Sequence, residues 1–229
     1  MADFTLDDVV PWGRSFDAYA RMFSLTDADL NKKILGCGDG PASFNFELSE
    51  RGGSVVSVDP IYQFSPKQIR QRIDETSSQI IEQLHANKER FFWTQFESPD
   101  DVVNQRLKAM ELFLDDFDAG VDQGRYVNAS LPVLPFDDQN FDIALCSHLL
   151  FLYSEHFSLE YHIQAIKEMS RVASDVRIFP LLDLQGKIST YVQPVITTLQ
   201  AEDYLVERVI VEYEFQQGGN EMLRVVNMS

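Results

Sequence analysis

The chain has 229 residues, of which 19 are Lys or Arg and 36 are Asp or Glu, so its formal charge is −17. A hydrophobic fraction of 45% with 24% charged residues is ordinary for a globular protein and excludes a disordered chain, a collagen or a long coiled coil. An acidic surface repels phosphate backbones, so the charge balance disfavours DNA and RNA as partners.

The sequence shows no membrane-spanning segment, no secretion signal and no metal-ligand spacing. The longest nearly apolar stretch, residues 143–153, is about half of the roughly 20 residues that a membrane helix needs. The N-terminus carries acidic residues where a secretory signal carries basic ones, which favours a cytoplasmic protein. Cys37 and Cys146 lie far apart in the sequence, so we expect two buried, reduced thiols and no metal site.

From residue 33 onwards, short β-branched runs alternate with helical patterns. This alternation predicts an α/β fold, a parallel sheet covered by helices on both faces. After a helical pattern near residues 191–203, two further runs flank a Gly-Gly turn, which predicts an antiparallel C-terminal hairpin. The seven predicted strands are 33–36, 54–58, 125–127, 142–147, 175–180, 204–215 and 222–228.

The segment between the second and third predicted strands, residues 62–125, carries two helical patterns. A serine followed by a proline, at 65–66 and again at 98–99, places a capping hydroxyl before a proline at the first helical position. Neighbouring parallel strands need only one crossover helix, so we interpret this segment as a helical insertion after strand two. The whole chain, 1–229, is predicted to be a single domain, with 1–32 as an N-terminal helical cap.

A glycine-rich turn follows the first predicted strand. Gly36, Gly38 and Gly40 permit a sharp turn there and let the backbone approach a ligand closely. The second strand ends in Asp59, 19 residues after Gly40. In a doubly wound sheet this acid lies beside the glycine turn, where it can accept both hydroxyls of a ribose. Together the two features indicate a nucleotide-binding site.

Two further motifs follow along the chain. Asn128 and Ala129 come after the weak third strand, and the runs Leu-Pro-Phe at 134–136 and Phe-Asp at 141–142 introduce the fourth. With these motifs in this order, residues 30–228 resemble the class I S-adenosylmethionine-dependent methyltransferases. The resemblance implies the Rossmann-like fold of that family, with S-adenosylmethionine as the cofactor.

The resemblance also implies a role for each motif. The glycine turn would hold the methionine end of the cofactor, the acid after strand two would bind the ribose, and the pair after strand three would meet the adenine. Ser147, at the end of strand four, would line the wall where substrate meets cofactor. The cofactor-binding residues implied outside the N-terminal segment are Gly36, Cys37, Gly38, Gly40, Asp59, Pro60, Asn128, Ala129 and Ser147.

For three further candidate residues, a purely structural role is the alternative to a functional one. His148 is the best candidate for a catalytic base, because an unperturbed imidazole has a pKa near 6.5, and the alternative is a hydrogen-bonded structural histidine. Before strand one, Arg14 precedes a helical pattern that contains Tyr19, and this pattern is typical of a helix packed on the sheet edge. In related enzymes an N-terminal helix folds over the cofactor, which makes both residues candidates for binding the cofactor carboxylate or closing the pocket.

The sequence departs from the family at Ile34, where an acid two residues before the first glycine is usual. This departure supports an alternative, a non-catalytic cofactor-binding or scaffold protein with the same fold. An NAD-dependent oxidoreductase would share the glycine turn and the acid, but Pro41 stands where the dinucleotide fingerprint needs a third Gly or Ala. For a methyltransferase, the expected acceptor is a small molecule or a protein side chain, selected by the insertion at 62–125. The oligomeric state stays open.

Overall fold

A computed structural model describes residues 10–93 and 96–227 of the protein. Within this part of the chain, one sheet contains β1 (Lys33–Cys37), β2 (Ser54–Val58), β3 (Tyr126–Val127), β4 (Phe141–Ser147), β5 (Ala173–Phe179), β6 (Tyr204–Ile210) and β7 (Glu221–Asn227). The strand order is β3-β2-β1-β4-β5-β7-β6. The first five strands run parallel, and β7 is antiparallel to both of its neighbours. The predicted seven-stranded, mostly parallel sheet with an antiparallel C-terminal hairpin is confirmed.

Helices cover both faces of this sheet, as the alternating pattern predicted. They are α1 (Phe16–Met22), α2 (Asp27–Leu30), α3 (Phe44–Glu50), α4 (Pro66–Ala86), α5 (Pro99–Asp122), α6 (Leu159–Val172) and α7 (Val192–Gln200). Successive side chains of a strand point to opposite faces. Ile34 therefore joins the apolar cluster beneath α1 and α3, whereas Leu35 joins the cluster beneath α6 and α7. None of the described helices combines the length and the apolar character required to cross a membrane.

The two cysteines are buried in the sheet core as free thiols, which confirms the sequence prediction. Cys37 and Cys146 are paired in register across β1 and β4 and belong to the same apolar cluster. Burial raises the pKa of the Cys146 thiol to about 12. Because the thiolate is the reactive form, neither residue has the environment of a nucleophile at neutral pH.

The insertion between β2 and β3 forms the two long helices that the sequence predicted. Ser65 Oγ accepts a hydrogen bond from the backbone of Gln68, and Ser98 Oγ accepts one from Asp101, so α4 and α5 begin at the predicted prolines. The N-terminal part of α5 packs with the C-terminal part of α4 in one apolar cluster, while its C-terminal part packs near Tyr126 of β3. The insertion is thereby anchored at the carboxyl edge of the sheet.

Two predicted boundaries differ from the structure. The strand predicted at 204–215 ends at Ile210, and the chain from 211 to 220 leaves the sheet. It leaves because Tyr213 and Phe215 face a cavity and an aromatic cluster instead of continuing the ladder. Of the predicted N-terminal cap at 1–32, residues 1–9 lie outside the described part of the chain, and the remainder contains α1 and α2.

Candidate functional site

A cavity of about 720 Å³ lies at the carboxyl edge of the sheet. At one end, which we call the turn end, it is lined by Gly38, Gly40 and Asp59. The other end, which we call the insertion end, is lined by side chains of α4 and α5 and of the loops after β5 and β6. These are Ile80, Leu84, Val102, Arg106, Leu184, Tyr213 and Phe215. Its size and its mixture of apolar walls with a few polar groups are typical of a small-molecule site.

Hydrogen bonds from backbone N–H groups to the Asp59 carboxylate hold this acid against the glycine turn. Gly38 and Gly40 have φ of +69° and +54°, a left-handed conformation that favours glycine. The Gly40 N–H donates to Asp59 Oδ2 at 2.9 Å, and the Ile61 N–H donates to Asp59 Oδ1 at 2.8 Å. Burial raises the pKa of the Asp59 carboxyl above its usual value. The sequence-predicted proximity of the turn and the acid is therefore seen in the structure.

A second carboxylate, Asp39, lies inside the glycine turn and lines the same end of the cavity. The Tyr19 hydroxyl donates to Asp39 Oδ1 at 2.8 Å, and the Ser57 hydroxyl donates to Oδ2 at 2.6 Å. Burial raises the pKa of Asp39 to about 6, against the opposing effect of these two hydrogen bonds. Asp39 thus supplies the end of β1 with the carboxylate that Ile34 does not provide.

The N-terminal segment brings a positive charge to the turn end. The Arg14 carbonyl accepts a hydrogen bond from the Ser43 N–H, which fixes the segment against the residues that follow the turn. Arg14 Nη1 donates to the Trp12 carbonyl at 3.0 Å, but its buried Nε has no hydrogen-bond partner among the described residues. Burial, together with the charge of Arg106, lowers the pKa of Arg14 to about 9. An unpaired guanidinium N–H next to a ligand-sized cavity is a ready donor for an anion.

His148 lies at the end of β4, between the two ends of the cavity. Its φ of +56° is uncommon for a residue other than glycine, and its N–H donates to the Phe179 carbonyl at 2.7 Å. Nδ1 is hydrogen-bonded with Ser147 Oγ at 2.9 Å. Burial and the charges of Arg14 and Arg106 lower its pKa well below the usual value, so the imidazole is neutral at pH 7.

Nine of the twelve predicted site residues line this cavity, and three do not. The lining residues are Arg14, Tyr19, Gly38, Gly40, Asp59, Pro60, Ala129, Ser147 and His148. Cys37 points into the core, and Asn128 is exposed outside the lining. Gly36 also lies outside it, because the Asp39 carboxylate occupies the space beside this residue. The cofactor roles of these three residues stay predictions from the family resemblance.

Sequence reasoning missed Asp39, Arg106 and Tyr213. A signal existed for Arg106, since it falls four residues after Val102 and four before Met110, both buried on the apolar face of α5. An arginine on such a face indicates a function or a buried ion pair. For Asp39 the signal was an acid within the glycine turn itself. No comparable signal marked Tyr213, because it follows a strand whose end was predicted too late.

The strand order, the antiparallel last strand, the glycine turn after β1 and the acid after β2 define a class I methyltransferase fold of the Rossmann-like type. No protein-family model matches the chain. The chain is 31% identical over 224 residues to the uncharacterized protein MJ0045 of Methanocaldococcus jannaschii, and the alignment covers 97% of this chain and 98% of that protein. The chain belongs to the same family as MJ0045.

Solved structures similar to this chain include two named methyltransferases. Magnesium protoporphyrin IX methyltransferase from Synechocystis PCC 6803, solved with bound S-adenosylmethionine, is 12% identical, with a TM-score of 0.46 over 93% of this chain and 77% of that one. Precorrin-6y C5,15-methyltransferase from Geobacter metallireducens is 15% identical, with a TM-score of 0.45 over 93% of this chain and 88% of that one. The fold is defined by the strand order and not by these two likenesses.

Proposed function

We propose that the protein is an S-adenosylmethionine-dependent methyltransferase that acts on a small molecule. One observation carries this proposal. A single cavity runs from the glycine turn and Asp59, where a nucleoside fits, to an apolar end built by the insertion, where a second molecule fits. A dinucleotide site does not need that second compartment within the same domain.

The residues at the turn end have the chemistry that this cofactor requires. Each oxygen of Asp59 accepts one backbone N–H and keeps a lone pair for a ribose hydroxyl. The orphaned Nε of Arg14 matches a carboxylate, and the carboxylate of Asp39 matches an ammonium group. The amino-acid end of the cofactor carries a carboxylate and an ammonium group. That part of the cofactor therefore fits the turn end of the cavity.

When bound, the cofactor supplies a methyl group on a positively charged sulfur. The protein aligns an acceptor atom with that methyl group and excludes water from it. As the new bond to the acceptor forms, the electron pair of the broken sulfur–carbon bond stays on sulfur. An acceptor nitrogen or oxygen that carries a proton must also lose it, and we assign its removal to neutral His148, which is a weak base because burial and the charges of Arg14 and Arg106 disfavour imidazolium.

Calorimetric titration with S-adenosylhomocysteine tests the proposal without knowledge of the acceptor. We expect a micromolar Kd, about −8 kcal/mol, no binding of NAD, and loss of S-adenosylhomocysteine binding in Asp59→Ala. Asp142→Asn is the matched control, because this exposed acid accepts a backbone N–H from Lys33 at the opposite edge of the sheet. If the wild-type protein binds neither ligand, methyl transfer is refuted, and the glycine turn is structural in a scaffold that does not use the cofactor.

Binding of S-adenosylhomocysteine alone does not separate an enzyme from a cofactor-binding scaffold. A second assay therefore follows release of S-adenosylhomocysteine from S-adenosylmethionine in the presence of a panel of small acceptors. Turnover that falls in His148→Ala while cofactor affinity is retained supports catalysis with this histidine as the base. Tight cofactor binding with no turnover on any acceptor favours the scaffold.

A further inference from the structure

The insertion end of the cavity contains a buried arginine that forms no ion pair with a carboxylate among the described residues. Arg106 is 4% exposed, and among residues 10–93 and 96–227 no carboxylate lies within salt-bridge distance of its guanidinium. Its hydrogen bond in this part of the chain runs from Nη2 to the Tyr213 hydroxyl at 2.8 Å. Burial of an arginine without an anion is costly, and buried charges are normally paired.

Arg177 shows how this fold treats a buried arginine with a structural role. It is 6% exposed, and its guanidinium bonds to Asp175 at 2.8 Å and to Asp29 at 3.3 Å. Arg106 is as deeply buried but faces a cavity and not a carboxylate. The difference indicates that the counter-ion of Arg106 arrives with a ligand.

The surroundings of Arg106 describe the rest of that ligand. Its guanidinium lies 5.9 Å from the centre of the Phe96 ring, and Phe96 packs edge-on against Phe215. Ile80, Leu84, Val102 and Phe91 complete an apolar wall at this end of the cavity. Such walls favour a hydrophobic body, and the arginine favours a charged group attached to it.

We infer that Arg106, supported by Tyr213, binds a carboxylate or phosphate group on the methyl acceptor, whose remaining body is apolar and fills the insertion end of the cavity. The inference rests on the proposed function and adds the substrate class. An arginine fork can donate two parallel hydrogen bonds to either anion. The Tyr213 hydroxyl accepts from Arg106 and keeps its own proton to donate to the same anion.

Arg14 and Arg106 are close enough for the charge of Arg106 to lower the pKa of Arg14, but different elements of the fold hold them. The Arg14 backbone is bonded to Ser43 directly after the glycine turn, so its guanidinium belongs with the cofactor carboxylate. Arg106 is bonded to Tyr213, in the loop between β6 and β7, and lies in the apolar cluster of the insertion. Two neighbouring cations can accommodate two anionic groups, and we assign one group to each reactant.

The test compares two anionic probes with a neutral amide that has the shape of the carboxylate probe. The wild-type protein, saturated with S-adenosylhomocysteine, is titrated with benzoate, phenyl phosphate and benzamide. We expect at least one anion to bind at least tenfold more tightly than benzamide, because a charge-assisted pair is lost in the amide. The anion whose affinity depends more strongly on Arg106, as measured in variants of this residue, identifies the acceptor's charged group as carboxylate or phosphate.

Variants then assign the preference to Arg106. Arg106→Met should abolish the difference between anion and amide, while S-adenosylhomocysteine should still bind. Lys108→Met is the matched control, since it removes one positive charge from the exposed side of the same helix and should keep the preference. Arg106→Lys keeps the charge but loses the fork, so it should retain part of the preference, and it replaces the Met variant if that variant does not fold.

Every outcome of these titrations either supports or overturns the anion subsite at Arg106. Equal binding of anions and amide, no anion binding up to millimolar concentration, or an unchanged preference in Arg106→Met overturns the subsite while cofactor binding can still stand. If S-adenosylhomocysteine does not bind but the protein alone shows an Arg106-dependent preference for anions, the subsite stands and methyl transfer fails.

Discussion

The carboxylate of Asp39 occupies the space that a side chain at Gly36 would need, since a Cβ at position 36 would lie 1.8 Å from Asp39 Oδ2. Gly36 is therefore required for packing, whereas the left-handed backbone of the turn is at Gly38 and Gly40. The carboxylate bends back over β1 and reaches hydroxyls of α1 and β2. The glycine turn and the N-terminal helix are coupled through this one side chain.

Gly36→Ala should expel Asp39 from its position and weaken both the fold and cofactor binding. We expect a loss of about 1–3 kcal/mol in the free energy of unfolding, as in other overpacked sites, and at least tenfold weaker S-adenosylhomocysteine binding. Urea unfolding and calorimetry measure the two effects. The double variant Gly36→Ala/Asp39→Ala removes the clash, so the two substitutions should be strongly non-additive. Additive effects would contradict the coupling.

Cofactor binding should depend on pH through Asp39. Its pKa is raised to about 6 by burial, and the groups that face it are Tyr19, Ser57 and the nearby Asp59. Below this pKa the carboxyl is neutral and loses its attraction for an ammonium group, so S-adenosylhomocysteine affinity should fall as pH decreases through about 6. Asp39→Asn should bind weakly at pH 7.5 and show a flatter profile. A wild-type affinity that is constant from pH 5 to pH 8 would exclude this role.

The elements that the sequence predicted correctly are those encoded by neighbouring residues. The strand at 54–58 and the starts of α4 and α5 depend on local alternation and on adjacent serine and proline, so they agree with the structure. The position of Asp39 depends on Tyr19 and Ser57, which lie on two other elements of the fold. The burial of Asp39 and its hydrogen bonds therefore follow from the packed fold and not from the local sequence.

Arg106 illustrates the same limit at the insertion end. The heptad-like spacing of α5 places it on the buried face, and that much can be read from the sequence. Whether a carboxylate meets it depends on what the loop between β6 and β7 brings to the cavity, and that loop brings Tyr213. The sequence pattern extends β6 to residue 215 and so assigns Tyr213 to the sheet. Its position in the cavity could therefore not be predicted.

His148 should stay neutral throughout the physiological pH range. Burial and the positive charges of Arg14 and Arg106 lower its pKa well below the usual value. In NMR spectra of histidine-labelled protein, with His148→Asn to assign the signal, the His148 resonance should not titrate between pH 6 and pH 8. Removing one charge in Arg106→Met should raise its pKa, because a nearby cation disfavours imidazolium. A wild-type midpoint near 6.5 would contradict the structure.

Substitution of Arg106 and of Arg177 should affect the free energy of unfolding differently. The comparison separates a buried charge kept for function from one that stabilises the fold. Arg177→Met removes the buried partner of Asp175 and Asp29. These acids keep their pairs with the more exposed Arg224 and Lys32, so we expect a loss of about 3 kcal/mol in the free energy of unfolding, the lower end for a broken buried pair. Arg106→Met removes a buried charge that has no carboxylate among the described residues and replaces it with an apolar side chain. It costs the hydrogen bond to Tyr213, about 1 kcal/mol, but relieves the desolvation of the guanidinium.

The unfolding free energy of Arg106→Met should therefore equal or exceed that of the wild type in the absence of ligands, measured by urea titration beside Arg177→Met. A site retained for function at a cost in stability behaves in this way. If both variants lose about 3 kcal/mol, Arg106 is held by a partner within the protein, and the anion that we assign to the methyl acceptor is supplied by the chain itself.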